Sequence, residues 1–206
     1  MTAVKICGIT RQSDGAAAAR LGAHAVGFIF YAKSPRNVAP AIADEIVRKL
    51  PPFVTAVGLF VNPAAGEVEH VMERVPLGLL QFHGEETPEF CAQFGVPYVK
   101  ALRVRAGVDL IQYANDHRAA RGLVLDAFVD GAHGGTGIAF DWNLIPSDLP
   151  LPIVLSGGLT PENVGNAIRR VLPWAVDVSS GVEASPGIKD PQKIAAFMKE
   201  VRSADV

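Results

Sequence analysis

The sequence predicts a single-domain (β/α)8 barrel that spans residues 1–206. Eight short apolar runs recur along the chain, and stretches whose apolar residues have helical spacing separate most of them. The runs are mostly continuous rather than alternating, which is typical of parallel strands buried on both faces. Barrels of this kind usually have about 250 residues and at least about 200, so the chain fits a compact one. A doubly wound open sheet with fewer strands is the alternative, but it would leave long stretches without structure.

The predicted elements follow one another along the chain. The strands are expected at Val4–Cys7, Ala25–Phe30, Thr55–Val61, Leu79–His83, Tyr98–Leu102, Leu123–Asp126, Ile153–Ser156 and Val176–Ser179. The helices are expected at Arg11–Leu21, Ala41–Leu50, Ala64–Val75, Pro88–Phe94 and Pro161–Val171, and from Pro191 to about Arg202. The stretches after Leu102 and after Asp126 have weaker periodicity and predict irregular structure or short helices. Thr160 and Asp190 are good N-cap residues, and each precedes a proline suited to the first helical position.

Composition narrows the functional classes. An apolar fraction of 49% predicts a well-buried core rather than disorder. A net charge of -2 and a pI near 6.2 argue against a nucleic-acid partner. No stretch approaches the roughly 20 uninterrupted apolar residues of a membrane span, and no secretion signal is visible. The two cysteines do not make a disulfide framework, so we expect a cytoplasmic protein without a membrane partner.

Three segments contain an apolar run that stops at Gly, Ser or Cys. They are Val4–Thr10, Ile153–Gly158 and Val176–Gly181. Ligands bind at the carboxyl ends of strands in such folds, and small residues there leave amide N–H groups free to meet them. The last two runs predict a phosphate site between the seventh and eighth loops, the usual position in these barrels. Its expected residues are Gly157, Gly158, Ser180 and Gly181, the last two at the start of a short extra helix. The sixth loop is expected to close over the same region through Gly135, Thr136 and Gly137.

These strand ends belong to a longer set of motifs. The set comprises Lys5–Thr10, Gly27–Phe30, Ser34–Arg36, Gly58–Asn62, Gln81–Gly84, Asp126, Gly134–Gly137 with Phe140 and Trp142, Leu155–Val164, Asp177–Glu183 and Pro186–Asp190. With these motifs the sequence closely resembles the phosphoribosylanthranilate isomerase family over the whole chain. The first and the last two motifs are specific. One departure is Phe82, where the family usually has an aliphatic residue.

The resemblance implies a (β/α)8 barrel enzyme that uses no cofactor and no metal and acts on a small phosphosugar. The implied reaction is the Amadori rearrangement of N-(5-phosphoribosyl)anthranilate to 1-(2-carboxyphenylamino)-1-deoxyribulose 5-phosphate, a step of tryptophan biosynthesis. An acid must open the furanose ring to a Schiff base, and a base must then remove the proton from sugar C2.

Cys7 is the expected base and Asp126 the expected acid. Each ends an apolar strand, and strands one and six lie roughly opposite each other in a barrel of eight. A lone cysteine is more often a small buried apolar residue, but the strand end before Gly8 and the resemblance both favour a function.

Arg36 follows the second strand. A guanidinium binds a carboxylate through two hydrogen bonds, so the resemblance makes Arg36 the expected partner of the anthranilate carboxylate.

Lys5 stands two residues before Cys7, so both side chains are expected to face the barrel interior. A buried lysine needs a partner, and Asp177 is the candidate because its strand is expected to lie beside the first. His83 ends the fourth strand and is expected to be packed and hydrogen-bonded, without a part in proton transfer.

The remaining histidines and the second cysteine have no expected role. His24, His70 and His117 are expected at the surface, and no histidine spacing predicts a metal site. Cys91 lies inside a predicted helix and is expected to be structural.

Other functions fit these residues less well. A ribulose-phosphate epimerase would use a pair of aspartates and often a metal, and an indole-glycerol-phosphate synthase would need a longer chain with a lysine acid. A non-catalytic phosphometabolite-binding barrel would need only the phosphate cradle, not the thiol and the acid as well. No exposed apolar patch is marked in the sequence, so we expect a monomer.

Overall fold

Eight parallel strands form a closed barrel in the computed structural model, which describes residues 1–105, 107–127 and 141–205. The strands are β1 (Ala3–Cys7), β2 (Ala25–Ile29), β3 (Thr55–Phe60), β4 (Leu79–Phe82), β5 (Tyr98–Val104), β6 (Leu123–Ala127), β7 (Ile153–Leu155) and β8 (Ala175–Val178). Each strand pairs with the next, and β8 closes the barrel against β1. The predicted fold class and all eight predicted strands are confirmed, with ends that differ by one or two residues.

Helices cover the outside of the barrel. They are α1 (Gln12–Leu21), α2 (Pro40–Val47), α3 (Ala65–Met72), α4 (Pro88–Ala92), α5 (Leu110–Asp116), α6 (Val164–Val171) and α7 (Pro191–Ala204). The weakly periodic stretches hold α5 and a 3-10 helix at Trp142–Leu144, as expected. Asp190 caps α7, because its side chain accepts hydrogen bonds from the amides of Gln192 and Lys193. None of the helices in the described ranges is both long and apolar enough to cross a membrane.

The prediction for the start of α6 was wrong. The helix begins at Val164, three residues after Pro161. The Asn163 side chain accepts a hydrogen bond from the Thr160 amide and donates one to the Gly158 carbonyl. These bonds hold residues 160–163 in a separate turn, because an asparagine side chain that bonds nearby backbone competes with helix formation.

A short hairpin lies outside the barrel and was not predicted. Its strands, β9 (Glu183–Ser185) and β10 (Ile188–Lys189), are antiparallel. The amide of Lys189 donates to the buried carboxylate of Asp14 on α1, which fixes the hairpin against the helix layer. The hairpin therefore brings Glu183 and Lys189 to the carboxyl end of β8.

Most of the apolar core lies between the barrel and the helices. Phe82, the departure from the family pattern, is fully buried there and stacks on Phe94 with ring centroids 5.8 Å apart. It belongs to the same layer as Phe60 and Phe90. Because neighbouring residues of a strand face opposite sides, Phe82 points away from the barrel interior, which Gln81 and His83 enter.

Several large apolar side chains are exposed, which the sequence did not indicate. Met1, Leu172 and Trp174 surround one cleft near the amino-terminal ends of β7 and β8, and Trp174 is 71% exposed. Phe53, just before β3, is 95% exposed.

Candidate active site

A small cavity opens at the carboxyl ends of the barrel strands. Cys7 from β1 and Asp126 from β6 both line it, together with Arg36, His83 and Asp177. The two residues expected to act as base and acid therefore face one space, although their chemical roles stay predictions. Apolar side chains from β2 and β3, such as Ile29 and Leu59, complete one wall.

Cys7 is buried at the end of β1, with 4% of its surface exposed. Burial raises the pKa of the thiol above its usual value, and the Lys5 ammonium acts in the opposite direction because it favours the thiolate. Asp177 raises the pKa of the thiol again, and Lys189 lowers it. In the free protein the balance lies with burial, so the thiol is largely protonated at neutral pH.

Lys5 and Asp177 form a buried ion pair beneath Cys7. The Lys5 Nζ lies 2.8 Å from Asp177 Oδ2, and the two residues are register partners across β1 and β8. The predicted partnership is confirmed. It follows from barrel closure, which places the first and last strands side by side and points both side chains inward.

Asp126 is hydrogen-bonded to His83. The His83 Nε2 lies 3.1 Å from Asp126 Oδ2, and His83 Nδ1 lies 3.1 Å from Gln81 Nε2. If the Gln81 amide donates to Nδ1, the imidazole carries its proton on Nε2 and donates it to the Asp126 carboxylate. The prediction of a packed, hydrogen-bonded histidine is confirmed, and its partner is the proposed acid.

Arg36 is held by Glu183. The guanidinium donates from Nε and Nη2 to the two carboxylate oxygens, each at 2.8 Å, and Lys189 Nζ lies 2.8 Å from Glu183 Oε1. Burial alone would raise the pKa of Glu183, but the hydrogen bonds from Arg36 and Lys189 outweigh it, so that pKa is lowered. Within the described residues the Nη1 group of Arg36 makes no hydrogen bond, which leaves it available at the cavity wall.

The loops after β7 and β8 meet through glycine backbone. Gly157 and Gly158 have φ values of 82° and 65°, which favour glycine. A Cβ on Gly181 would overlap the carbonyl oxygen of Leu159, so the two loops approach closely only because that residue is glycine. Ser180–Val182 forms a 3-10 helix, which confirms the predicted short extra helix.

The four residues expected to bind phosphate therefore lie on adjoining loops. Each is partly exposed, and across the described ranges none of their amide groups donates a hydrogen bond to another part of the protein. Backbone N–H groups without protein partners at adjacent turns are suited to bind an anion. The sixth-loop residues Gly135, Thr136 and Gly137 lie outside the described residues, as does Asp130.

Two further predictions concern residues away from the cavity. Cys91 is fully buried in α4, and burial raises the pKa of its thiol to about 12, which disfavours the reactive thiolate. His24 and His70 are exposed, but His117 is only 4% exposed, so its predicted surface position was wrong. Its ring packs on Tyr113 with centroids 4.6 Å apart, and burial lowers the pKa of the imidazole.

Several side chains that hold the site residues were not predicted from the sequence. The Gln81 side chain contacts His83, and Glu183 contacts both Arg36 and Lys189. A signal existed for Gln81, which shares a strand face with His83. Within the described ranges, no group of three or more His, Cys, Asp or Glu side chains is arranged to hold a metal ion.

Comparison with known proteins gives a consistent result. The family model described as N-(5'-phosphoribosyl)anthranilate (PRA) isomerase matches residues 4–200. A protein of that name from Nitrosospira multiformis is 61% identical over 198 residues, covering 96% of this chain and 95% of the relative. The one from Dechloromonas aromatica is 57% identical and covers 99% and 98% of the two chains.

Solved structures resemble the barrel equally well. The phosphoribosyl anthranilate isomerase of Thermotoga maritima superposes with a TM-score of 0.91 at 43% identity, covering 98% of this chain and 100% of that one. A structure of such an isomerase in complex with reduced 1-(o-carboxyphenylamino)-1-deoxyribulose 5-phosphate has a TM-score of 0.88 at 42% identity, with the same coverage.

Proposed function

The chain belongs to the N-(5'-phosphoribosyl)anthranilate isomerase family, and we propose that its cavity converts N-(5'-phosphoribosyl)anthranilate to 1-(2-carboxyphenylamino)-1-deoxyribulose 5-phosphate. The observation that carries this proposal is the pair of Cys7 and Asp126 in one cavity at the carboxyl ends of β1 and β6. A sugar bound between them would meet a base on one side and an acid on the other, which is what an Amadori rearrangement requires.

Asp126 is the proposed acid. It gives a proton to the ring oxygen, the C1–O bond breaks, and the anthranilate nitrogen forms a Schiff base with C1. This role requires Asp126 to donate a proton to the bound substrate. The bond from His83 holds the carboxyl in one orientation within the cavity.

Cys7 is the proposed base. Its thiolate takes the proton from C2, and the electron pair moves through C1 to the nitrogen to give an enolamine. Tautomerisation of the enolamine moves the C2 hydroxyl proton to C1 and yields the ketone. The thiolate, not the thiol, is the reactive species, so turnover depends on how the cavity stabilises its charge.

The two ends of the substrate have separate proposed contacts. The phosphate binds the amide groups of Gly157, Gly158, Ser180 and Gly181, since phosphate groups of barrel ligands commonly lie between the seventh and eighth loops. The anthranilate carboxylate binds Arg36 through the guanidinium edge that Glu183 leaves open. The sixth loop, through Gly135, Thr136 and Gly137, is proposed to close over the phosphate.

We also propose that the protein acts without a cofactor or metal, as a cytoplasmic monomer. Both cysteines are free and buried, which fits a reducing compartment. The exposed Met1, Leu172 and Trp174 offer apolar surface to a second copy, so sedimentation at micromolar concentration is the measurement of this point.

Turnover tests the proposed reaction directly. The fluorescence of phosphoribosylanthranilate should disappear on addition of the purified protein, and the product should appear in stoichiometric amount. A protein that binds inorganic phosphate but leaves the fluorescence unchanged would be a phosphometabolite-binding barrel, and the enzymatic proposal would be rejected.

A further inference from the structure

The Lys5 ammonium belongs to the buried ion pair beneath Cys7, and no step of the reaction uses it. Its side chain is 9% exposed, and its Nζ lies 2.8 Å from Asp177 Oδ2. An ammonium has three N–H donors. The N–H donors of this ammonium serve both Asp177 and the Cys7 side chain.

The backbone of β2 lets Lys5 and Cys7 share the same space. Gly27 is the register partner of Cys7. A Cβ on Gly27 would lie 2.8 Å from Cys7 Sγ and 3.0 Å from Lys5 Cε, so both side chains converge on the place that its missing side chain leaves free. Cys7 Sγ and the end of the Lys5 side chain therefore lie on the same side of the strand, next to Gly27.

Other charged groups around Cys7 are less suited to act on the sulfur. Lys189, on β10, has its ammonium bonded to the Ser179 carbonyl, the Ser179 hydroxyl and Glu183. Arg36, after β2, is bonded through two nitrogens to Glu183. Asp177, on β8, carries a negative charge that disfavours the thiolate, and β2 itself contributes Gly27 at this point.

We propose that Lys5 is a positioning residue that stabilises the Cys7 thiolate by its charge, and that Asp177 fixes the Lys5 ammonium beneath the sulfur. The proposal rests on the role of Cys7 as base. Lys5 acts through the sulfur of Cys7: it sets how much thiolate is present to take the C2 proton. Burial disfavours the thiolate, and a fixed cation at this position offsets part of that cost.

The test compares two variants with the wild type by the pH dependence of Cys7 alkylation with iodoacetamide, read at the Cys7 peptide by mass spectrometry. The variants are Lys5→Met and Lys5→Met combined with Asp177→Asn. Lys5→Met should move the profile to higher pH and lower the alkylation rate at neutral pH about tenfold or more, since each pKa unit changes the thiolate population tenfold. Rates at strongly alkaline pH should converge. Lys199→Met, the same change at an exposed position on α7, should leave the profile in place.

The double variant makes the test sharper. It removes a cation that favours the thiolate together with an anion that opposes it, so its profile should shift in the same direction as that of Lys5→Met but less far. It also leaves no unpaired buried charge, so it carries the test if Lys5→Met fails to fold. An unshifted profile in folded variants, or a loss of alkylation that is equal at all pH values, would overturn the proposal.

The pH profile of kcat/KM separates this proposal from the proposed function. If Lys5 acts through the base, the rising limb of kcat/KM should shift with the alkylation profile in each variant. A shifted alkylation profile with an unshifted kcat/KM profile would support the role of Lys5 on the thiolate and reject Cys7 as the base.

Discussion

His83 Nε2 lies 3.1 Å from Asp126 Oδ2, which joins the end of β4 to the end of β6 across the cavity. His83 is itself held from the interior of the barrel by Gln81, whose side-chain nitrogen lies 3.1 Å from Nδ1. The chain of contacts fixes both the ring and the carboxylate. The proposed acid is therefore oriented by two side chains that share one face of β4.

Replacing Asp126 with Asn should lower kcat by about 10²–10⁴-fold, because an amide cannot deliver the ring-opening proton. The fold and the affinity for product should change little, since the two side chains have nearly the same size and shape. Steady-state fluorescence kinetics and product binding measure the two quantities. Asp148→Asn, the same change at an exposed position, should have full activity. An unchanged rate for Asp126→Asn would move the acid to Asp130.

Replacing Cys7 with Ser should lower kcat to a similar extent, because a hydroxyl is far less acidic than a thiol and cannot act as the C2 base. In the wild type the rate should rise with pH through the pKa of Cys7, which burial raises above the usual value of about 8.5. Cys91→Ser should leave the rate per folded molecule unchanged. Retention by Cys7→Ser of more than about a tenth of the wild-type kcat would rule out the thiol as base.

The losses of activity caused by the Cys7 and Asp126 substitutions should not be independent of each other. Cys7 and Asp126 serve successive steps on one substrate, so a variant that lacks both should be little slower than the slower single variant. A double variant whose loss equals the product of the two single losses would indicate that the groups act independently.

The strands, and the site residues at their ends, could be predicted from sequence because one pattern of apolar residues recurs along the chain. Continuous apolar runs define the strands, and their ends place Cys7 and Asp126 at the same edge of the barrel. The pairing of Lys5 with Asp177 could also be predicted. Side chains alternate between the two faces of a strand, and closure of the barrel places β1 beside β8, so the pair does not depend on the position of any distant loop.

The contacts that orient the site residues could not be predicted in the same way. Glu183 reaches Arg36 from 147 positions away in sequence, on a hairpin of two short strands without apolar periodicity. The start of α6 depends on two side-chain bonds of Asn163 that a pattern of apolar residues does not contain. The burial of His117 depends on how its ring packs against Tyr113.

Replacing Arg36 with Met should weaken substrate binding far more than binding of inorganic phosphate. Arg36 is assigned to the anthranilate carboxylate, at the opposite end of the ligand from the phosphate. KM and the inhibition constant of inorganic phosphate measure the two effects. Glu183 keeps its bond to Lys189 in this variant, so the protein should still fold. Arg118→Met, at an exposed position after α5, serves as the control. An equal loss for both ligands would show that Arg36 is wrongly assigned.

Replacing Glu183 with Gln should destabilise the protein at neutral pH by about 3 kcal/mol or more, because two buried cations lose their carboxylate. The pKa of Glu183 is lowered in the folded protein, despite burial, by Arg36 and Lys189. Its charge therefore contributes stability above the unfolded pKa of about 4.3, and this contribution disappears as the pH falls through the folded pKa. The free energy of unfolding, measured with urea, should thus differ strongly from that of the wild type near neutral pH and only slightly at strongly acidic pH. Glu69→Gln, on the exposed face of α3, should show neither. A difference that does not depend on pH would mean that the charge of Glu183 is not what stabilises the fold.

Replacing Gly181 with Ala should weaken phosphate binding, because the added Cβ would overlap the carbonyl oxygen of Leu159 and push the seventh and eighth loops apart. A backbone carbonyl cannot move aside as a flexible side chain can. The amide groups of both loops should therefore no longer be positioned to bind the phosphate. KM for substrate and the inhibition constant of inorganic phosphate should rise together, unlike the selective effect of Arg36→Met. Gly66 offers a matched control, since a Cβ there meets no atom within 4 Å and the residue lies in α3. Gly66→Ala should leave both constants unchanged and raise stability by up to about 1 kcal/mol, because alanine favours the helix. If Gly181→Ala bound phosphate as tightly as the wild type, the phosphate would not lie between these two loops.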